Sequence, residues 1–239
     1  MNNITSLYSG NGFGGLDKCN NCPVRGLSFC SALDTLALEE FSALSKTRSF
    51  TDGQLILTEG EVNEYIGSIT EGIVKVYKLL NDGRQQIISL GFPGDMLGNI
   101  IDAEYNYFVE AVGKVKICLY RVSRIASFAA TNPEIYLSIL GKTNQQLSHA
   151  RDWLVLLGRK TAKEKIASFL LLLSEHHLGS ETDQAFKIPL KRQEIADFLG
   201  LTIETVSRNF SSLKNQQLIR EQAGHMLIIV DYSALKNIS

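Results

Sequence analysis

The sequence has few features of a membrane protein, a secreted protein or an enzyme. No run of 18 apolar residues occurs, and the longest candidate, Ala167 to Leu173, is too short to cross a bilayer. The first fifteen residues have no basic start followed by an apolar core, so we expect a flexible cytoplasmic N-terminus and no secretory signal. The sequence contains no phosphate-binding loop, no Gly-x-Ser-x-Gly elbow and no histidine at a recognisable spacing from a nucleophile, so we do not expect an enzyme.

A large excess of charge of either sign is also missing. The 239 residues carry 24 basic and 25 acidic side chains, and 44% of the residues are hydrophobic, which excludes a disordered or fibrous chain. This length favours one large or two modest domains. The charge is unevenly distributed, because residues 150–220 carry eleven basic and eight acidic side chains. This local excess weakly favours a nucleic acid as partner of the C-terminal third.

Regularly spaced glycines divide the segment from Thr51 to Val122 into short apolar stretches, which is typical of β-strands. The runs 72–80 and 84–90, joined by Asn81-Asp82-Gly83, predict a β-hairpin. We expect a second hairpin to turn at Gly113. Several short antiparallel strands at this spacing predict a jelly-roll-like β-barrel.

The strand after Gly113 shows a regular alternation. Its apolar residues are expected to face the barrel interior and the residues between them to face outward, since successive side chains of a strand point to opposite faces. The inward set is Val115, Ile117 and Leu119, and the outward set is Lys116, Cys118 and Tyr120. Cys118 should therefore point away from the barrel core.

A long helix is predicted next, with Thr131 and Asn132 as cap candidates, Pro133 near the first turn and an end at Gly158. Small or apolar residues recur along it at heptad positions, which favours a parallel dimer seam over packing on its own domain. The seam residues are Leu140, Thr143, Leu147, Ala150, Leu154 and Leu157.

The C-terminal third contains the pattern of a helix-turn-helix. Residues 193–199 and 202–214 have helical spacing and are separated by Gly200-Leu201, and the apolar runs 218–219 and 226–230 predict a β-hairpin wing. One common face of the two helices should be buried. Its members are Ile195, Ala196, Leu199, Val206, Phe210 and Leu213.

The open side of the second helix carries residue types that read DNA bases. Arg208 can bind the O6 and N7 of guanine, Glu204 can accept a hydrogen bond from cytosine, and Ser207 adapts to a base edge or a phosphate. Flanking polar and basic side chains are expected to contact phosphates, which position a protein without specifying sequence. These candidates are Lys191, Arg192, Thr202 and Lys214.

All four cysteines fit one metal-binding pattern, Cys19-x2-Cys22-x7-Cys30 with Cys118 as a distant fourth. A disulfide framework is not expected in a cytoplasmic chain of this size. No histidine lies near the three N-terminal cysteines, so the ligand set would be purely sulfur. From residue chemistry alone, tetrahedral zinc and an iron–sulfur cluster remain equally open.

The order of cysteine-rich start, glycine-punctuated barrel, long helix and winged helix-turn-helix resembles the Crp/Fnr family of bacterial transcription regulators over residues 16–235. The start Cys19-x2-Cys22-Pro23-Val24-Arg25, the linker 156–167 and the helix 199–208 are similar to the oxygen-sensing Fnr branch, in particular its FnrN/FnrL-type group. The resemblance implies an oxygen-labile [4Fe-4S] cluster on Cys19, Cys22, Cys30 and Cys118, one per subunit.

The same resemblance implies a mechanism. With the cluster intact, a homodimer would bind a palindromic TTGAT-type promoter site through Glu204, Ser207 and Arg208 under anaerobic conditions, and oxygen would convert the cluster to a [2Fe-2S] form and lower DNA binding. It also implies a contact with RNA polymerase, for which the hairpin tip Asn81 to Arg84 is a candidate.

We therefore expect an α+β chain in four parts. These are a flexible N-terminus with the cysteine loop (1–30), a β-barrel sensor domain (31–130), a dimerisation helix (131–158) and a winged helix-turn-helix DNA-binding domain (159–239). The alternatives are a regulator of the same fold with a structural zinc or another small-molecule effector. A cyclic nucleotide is not expected, because the segment 94–108 offers no Arg or Lys to a phosphate. Haem is also not expected, because no convincing axial pair of ligands remains.

Overall fold

The computed structural model describes residues 19–178 and 185–239, so the first fifteen residues, which we expect to be flexible, lie outside the described residues. The chain folds into two units. The first contains the described residues up to Val76 together with Leu90–Leu147, and the second contains Tyr77–Ser89 and the described residues of Ser148–Ser239. Within the described ranges, we find no helix that combines the length and apolarity needed to cross a membrane.

The first part of the chain builds a small helix and an antiparallel sheet. Helix α1 (Thr35–Ala43) begins where the Asp34 side chain accepts a hydrogen bond from the Ala37 amide at 2.9 Å, which is a standard N-cap. The strands that follow are β1 (Ser45–Phe50), β2 (Leu55–Leu57), β3 (Tyr65–Leu79), β4 (Gln85–Gly91), β5 (Met96–Leu97) and β6 (Phe108–Arg121).

The strand order β1-β6-β3-β4, with β2 on β6 and β5 on β3, confirms a barrel-like sheet. The turn at Asn81-Asp82-Gly83 between β3 and β4 is confirmed, and Gly83 has a φ of 84°. The predicted hairpin at Gly113 is wrong. Gly113 lies inside β6 with a φ of 74°, between the residues that pair with β2 and those that pair with β1. Its positive φ bends one long strand and does not end it.

Strand β6 separates two apolar cores. Its predicted inward residues are buried in the barrel core, as the alternation requires. On the opposite face Tyr120 is also buried, in a second core formed with helix α1 and the helices that follow the barrel. That second core contains Phe29, Leu38, Phe41, Phe128, Ile135 and Ile139 among others, and it packs against the cysteine-bearing segment.

Two helices follow the barrel, α2 (Val122–Ala129) and α3 (Glu134–Arg159). The C-terminal end of α3 matches that of the predicted long helix to within one residue. The predicted caps act differently, because the side chains of Thr131 and Asn132 both donate to the carbonyl of Phe128 and so close the end of α2. With 26 residues, α3 is about 39 Å long.

The second unit contains the helix-turn-helix. Helix α4 (Ala162–Leu178) opens with a reciprocal capping box, in which Glu164 accepts from the Thr161 amide and Thr161 accepts from the Glu164 amide. The other elements are β7 (Phe186–Lys187), α5 (Arg192–Leu199), α6 (Ile203–Asn215), β8 (Ile219–Gln222), β9 (Met226–Ile229) and α7 (Tyr232–Ile238).

The turn between α5 and α6 depends on Gly200, whose φ of 62° favours glycine. Lys165, which is buried, donates to the carbonyl of Leu199 at 3.2 Å and so satisfies an end of α5. All six residues predicted for the common helix face are buried. Strands β7, β9 and β8 form the sheet that carries the wing, so the winged helix-turn-helix is confirmed.

Candidate functional site

The four cysteines line one cavity, although Cys118 is far from the others in sequence. Cys19 and Cys22 flank a tight turn in which the Cys22 amide donates to the Cys19 carbonyl at 3.3 Å, and Cys30 lies in the short 3-10 helix Phe29–Ala32. Cys118 reaches the cavity from β6 because it lies on the face that points away from the barrel core, as predicted. The cavity is small and partly enclosed, with a volume of about 20 Å³.

Aromatic packing holds the cysteine segment on β6. The rings of Phe41 and Tyr120 are stacked with centroids 4.2 Å apart, and Phe29 meets Tyr120 edge-on at 5.6 Å. Phe29 adjoins Cys30 in the chain, and Tyr120 lies two residues from Cys118 on the same strand face. One buried cluster therefore positions both the N-terminal segment and the strand that contribute sulfurs to the cavity.

Burial disfavours the ionisation of two of the thiols, Cys118 and Cys30. It raises the pKa of Cys118 to about 11, and the thiol donates to the Tyr120 hydroxyl at 3.5 Å. Burial also raises the pKa of Cys30, although a 2.8 Å hydrogen bond with the Ser28 hydroxyl and the charge of Arg25 partly offset the effect. The pKa of Tyr120 is well above its usual value for the same reason, burial, reinforced by the neighbouring thiols.

The donor chemistry of the cavity is that of a thiophilic group. Four sulfurs and no imidazole or carboxylate line it, and Arg25 adds a positive charge that favours thiolates. Across residues 19–178 and 185–239, no three His, Cys, Asp or Glu side chains already lie close enough to hold a single ion. The cysteines surround a space and do not converge on one point.

Helix α6 presents the predicted base-reading residues. Thr202 caps the helix, since its hydroxyl accepts from the Thr205 amide at 3.2 Å, and this fixes the start of the exposed face. Glu204, Ser207 and Arg208 are all exposed on that face. The Arg208 guanidinium donates to the Thr205 hydroxyl at 3.3 Å. Hydrogen bonds from the backbone and from Thr202, together with the Arg208 charge, lower the pKa of Glu204, so it is ionised at neutral pH.

The same face continues beyond the predicted residues. A shallow hollow along α6 is lined by Ser207 and Arg208 and also by Ser211, Ser212, Asn215 and Gln216. Sequence reasoning missed Ser211 and Asn215. Their helical spacing from Ser207 and Arg208 was the available signal, since residues three to four apart share a face.

Two of the predicted phosphate contacts have partners within the protein. Arg192 is half-buried, lies 3.6 Å above the Phe210 ring centroid and forms an ion pair with Glu221. Lys214 donates to the other oxygen of Glu221 at 2.9 Å. Lys191 is exposed, and its amide donates to the Glu194 carboxylate at 2.9 Å. Glu221 was not predicted, because a glutamate in a short wing strand has no distinguishing sequence signal.

The predicted dimer seam lies on the exposed side of α3. Leu140, Leu147 and Leu154 are 63%, 48% and 70% exposed, and Ala150 is exposed beside them. Of the two remaining seam residues, Thr143 is exposed and Leu157 is half-buried. An adjacent side of α3 is buried at Ile135, Ile139 and Leu156. The helix therefore has two apolar sides, and intramolecular packing covers only one of them.

Comparison with known proteins gave matches over most of the chain. A cyclic nucleotide-binding domain matches residues 47–132, and a Crp-like helix-turn-helix domain matches residues 164–238. The nitrogen fixation regulation protein FixK of Bradyrhizobium diazoefficiens is 38% identical over 202 residues, which cover 84% of this chain and 85% of that protein.

The transcriptional activator protein FnrL of Cereibacter sphaeroides is 32% identical over 225 residues, covering 92% of this chain and 91% of that one. The solved structure of FixK2 from Bradyrhizobium japonicum superposes with a TM-score of 0.75 at 31% identity, covering 82% of this chain and 97% of that chain.

Proposed function

Because this chain belongs to the Fnr branch of the Crp/Fnr family of DNA-binding transcription regulators, we propose that it is an oxygen-responsive activator that binds DNA as a homodimer. The sensor in this proposal is a [4Fe-4S] cluster bound by Cys19, Cys22, Cys30 and Cys118, one per subunit. The cluster supports binding of a TTGAT-type palindrome without oxygen.

The observation that carries the proposal is the shared cavity of the four thiols. Three of them come from the N-terminal segment, around one tight turn and in a short 3-10 helix, whereas Cys118 comes from a strand that is fixed in the barrel sheet by antiparallel pairing with β1. A cubane cluster needs one terminal thiolate for each of its four irons, and four cysteines around one space supply that set. When bound, the cluster would supply iron–thiolate bonds that oxygen can destroy.

The protein itself links the cysteine segment to strand β6. With metal–sulfur bonds in place, the cysteine segment and β6 would be joined by those bonds as well as by aromatic packing. Loss of those bonds would leave Phe29 and its neighbours as the remaining anchors of the segment. This region packs against Ile135 and Ile139 at the start of α3, so a change in the segment reaches the helix that carries the dimer seam.

DNA reading is assigned to α6. In a dimer that pairs through Leu140, Leu147 and Leu154, two copies of α6 would face successive major grooves of a palindrome. Arg208 is assigned to guanine, Glu204 to cytosine and Ser207 to a base edge or a phosphate. The exposed hairpin tip Asn81 to Arg84 is assigned to RNA polymerase, since the relative FnrL is named a transcriptional activator.

The proposal is tested by anaerobic purification followed by iron, sulfide and zinc analysis and a visible spectrum before and after air. We expect about four irons and four sulfides per chain and a brown colour that bleaches in air. Anisotropy with a TTGAT duplex should show tighter binding before air than after. A colourless protein with about one zinc per chain, unchanged by air, would refute the cluster and leave the DNA-binding assignment intact.

Two variants separate ligation from packing at the same place. Cys118→Ser should lose the iron, because the hydroxyl is a poor substitute for a thiolate. Tyr120→Phe removes only a hydroxyl that accepts from Cys118 and should keep the iron. Equal iron loss in both would show that the cavity's packing, and not the Cys118 sulfur, determines retention.

A cyclic nucleotide is the competing effector, because the barrel matches a cyclic nucleotide-binding domain. Adding cyclic AMP to the same anisotropy assay addresses it. No change in DNA affinity is expected, since residues 94–108 present no cation to the phosphate.

A further inference from the structure

One carboxylate links three elements of the DNA-binding unit. Glu221, on wing strand β8, forms ion pairs with Arg192 at the start of α5 and with Lys214 in the last turn of α6. Burial alone would raise the pKa of Glu221, but the hydrogen bonds and charges of the two cations outweigh it and lower the pKa. The carboxylate is therefore ionised at neutral pH and fully engaged.

The two cations differ in how tightly they are held. Arg192 is stacked on the ring of Phe210, which is itself buried, and burial lowers the pKa of the guanidinium. A cation stacked on a buried ring and paired with a carboxylate has little freedom to leave. Lys214 has a side chain that is 44% exposed and a single point-charge contact with Glu221 at 2.9 Å. Exposed pairs of this kind are weak.

We propose that Glu221 holds Lys214 in the free protein and releases it to a DNA phosphate on binding, while Arg192 stays paired with Glu221. Glu221 is thus a competitor of the DNA backbone for Lys214. Arg192 makes the exchange possible, because its charge remains beside the carboxylate after Lys214 has left. Without Arg192, the exchange would leave a partly buried carboxylate unpaired, which is costly.

This exchange requires only DNA binding, which the family establishes, and it depends neither on the cluster nor on the sequence of the site. We would measure the affinity of the full-length dimer for a TTGAT duplex and for a scrambled duplex as a function of salt. Lys214→Gln should reduce the slope of log affinity against log salt by about 0.9 per subunit, because each subunit loses one phosphate contact.

The variant Glu221→Gln separates competition from bracing. If Glu221 competes with phosphate, Glu221→Gln should bind both duplexes about 2- to 5-fold more tightly per subunit, which is the range expected for an exposed ion pair. If Glu221 were only a brace for the wing, the variant would bind more weakly. Thermal melting of each variant shows whether it folds. If Glu221→Gln does not fold, Lys214→Gln is used instead, because its salt slope alone decides whether Lys214 contacts DNA.

The double variant completes the test. The gain in DNA affinity from Glu221→Gln should vanish in the Lys214→Gln background, because the lysine for which Glu221 and the phosphate compete is then missing. A gain of the same size in both backgrounds would show a general charge effect and overturn the proposal. So would an unchanged salt slope in Lys214→Gln, since Lys214 would then never reach a phosphate.

Discussion

The burial of Cys118 predicts a measurable dependence of stability on pH in the metal-free protein. The folded-state pKa is about 11, against 9.0 for an ordinary thiol. Between these values the unfolded chain gives up the proton while the folded chain keeps it, so the free energy of unfolding falls as the pH rises. Below the unfolded pKa both states hold the proton, and the contribution is fully present.

The size of this effect follows from the two pKa values. Raising the pH from about 8 to about 10.5 should lower the free energy of unfolding by about 2 kcal/mol. This value is the difference in proton binding at Cys118 between the folded and unfolded states, summed over that pH range. Because other groups also titrate there, the quantity to measure is the difference between the wild-type protein and Cys118→Ser. Urea unfolding of the reduced, metal-free proteins without oxygen gives it at each pH.

A second variant controls for changes in the cavity itself. Thr70 lines the same cavity and carries no titratable group, so Thr70→Ala should keep the wild-type dependence on pH. Wild-type and Cys118→Ser curves that stay parallel from about pH 8 to about pH 10.5 would refute the reasoning. They would mean that water reaches the Cys118 thiol and that the barrel face beneath the cysteine segment is not dry.

Three further predictions concern metal uptake, dimerisation and base reading. Since all four thiols must lose their protons on binding metal, and at least the two buried thiols with raised pKa values hold protons below about pH 9, the affinity of the metal-free protein for cobalt should rise at least about 100-fold per pH unit in that range. A rise of less than about tenfold would contradict this. Leu154→Glu should give a monomer in sedimentation, because Leu154 is a seam residue that is 70% exposed, whereas Val155→Glu, 60% exposed but off the seam, should stay dimeric. Arg208→Ala should weaken binding of the TTGAT duplex by about 1 to 3 kcal/mol and relax specificity at one guanine. Arg220→Ala, on the exposed wing, should weaken binding to all duplexes alike. Uniform weakening by Arg208→Ala would remove it from base reading.

The helix-turn-helix was predictable in detail because its signals are local. The helical spacing of apolar residues and the glycine at the turn place both helices, and the structure begins and ends them within one or two residues of the expected positions. The exposed face of α6 then follows from periodicity alone. The same holds for the outward position of Cys118, which depends only on strand alternation.

Other features depend on contacts that sequence patterns do not encode. A glycine with positive φ has the same appearance in a hairpin turn and in a bent strand, and only the pairing of β6 with both β1 and β2 shows that Gly113 belongs to the second kind. The exposure of a basic residue also depends on its neighbours. Arg192 has a favourable position for a phosphate contact, yet Phe210 and Glu221 hold it within the protein.

The position of Cys118 on β6 has a consequence for biosynthesis. The three N-terminal cysteines leave the ribosome long before Cys118, and Cys118 is held beside them by a strand, β6, that pairs with β1, so the first and last strands of this sheet in the chain must meet. Nascent chains consequently expose an incomplete set of three thiols while the barrel is still open. The sulfur site can therefore be completed only after the barrel has folded. A chain with a misfolded barrel cannot assemble the four-cysteine set.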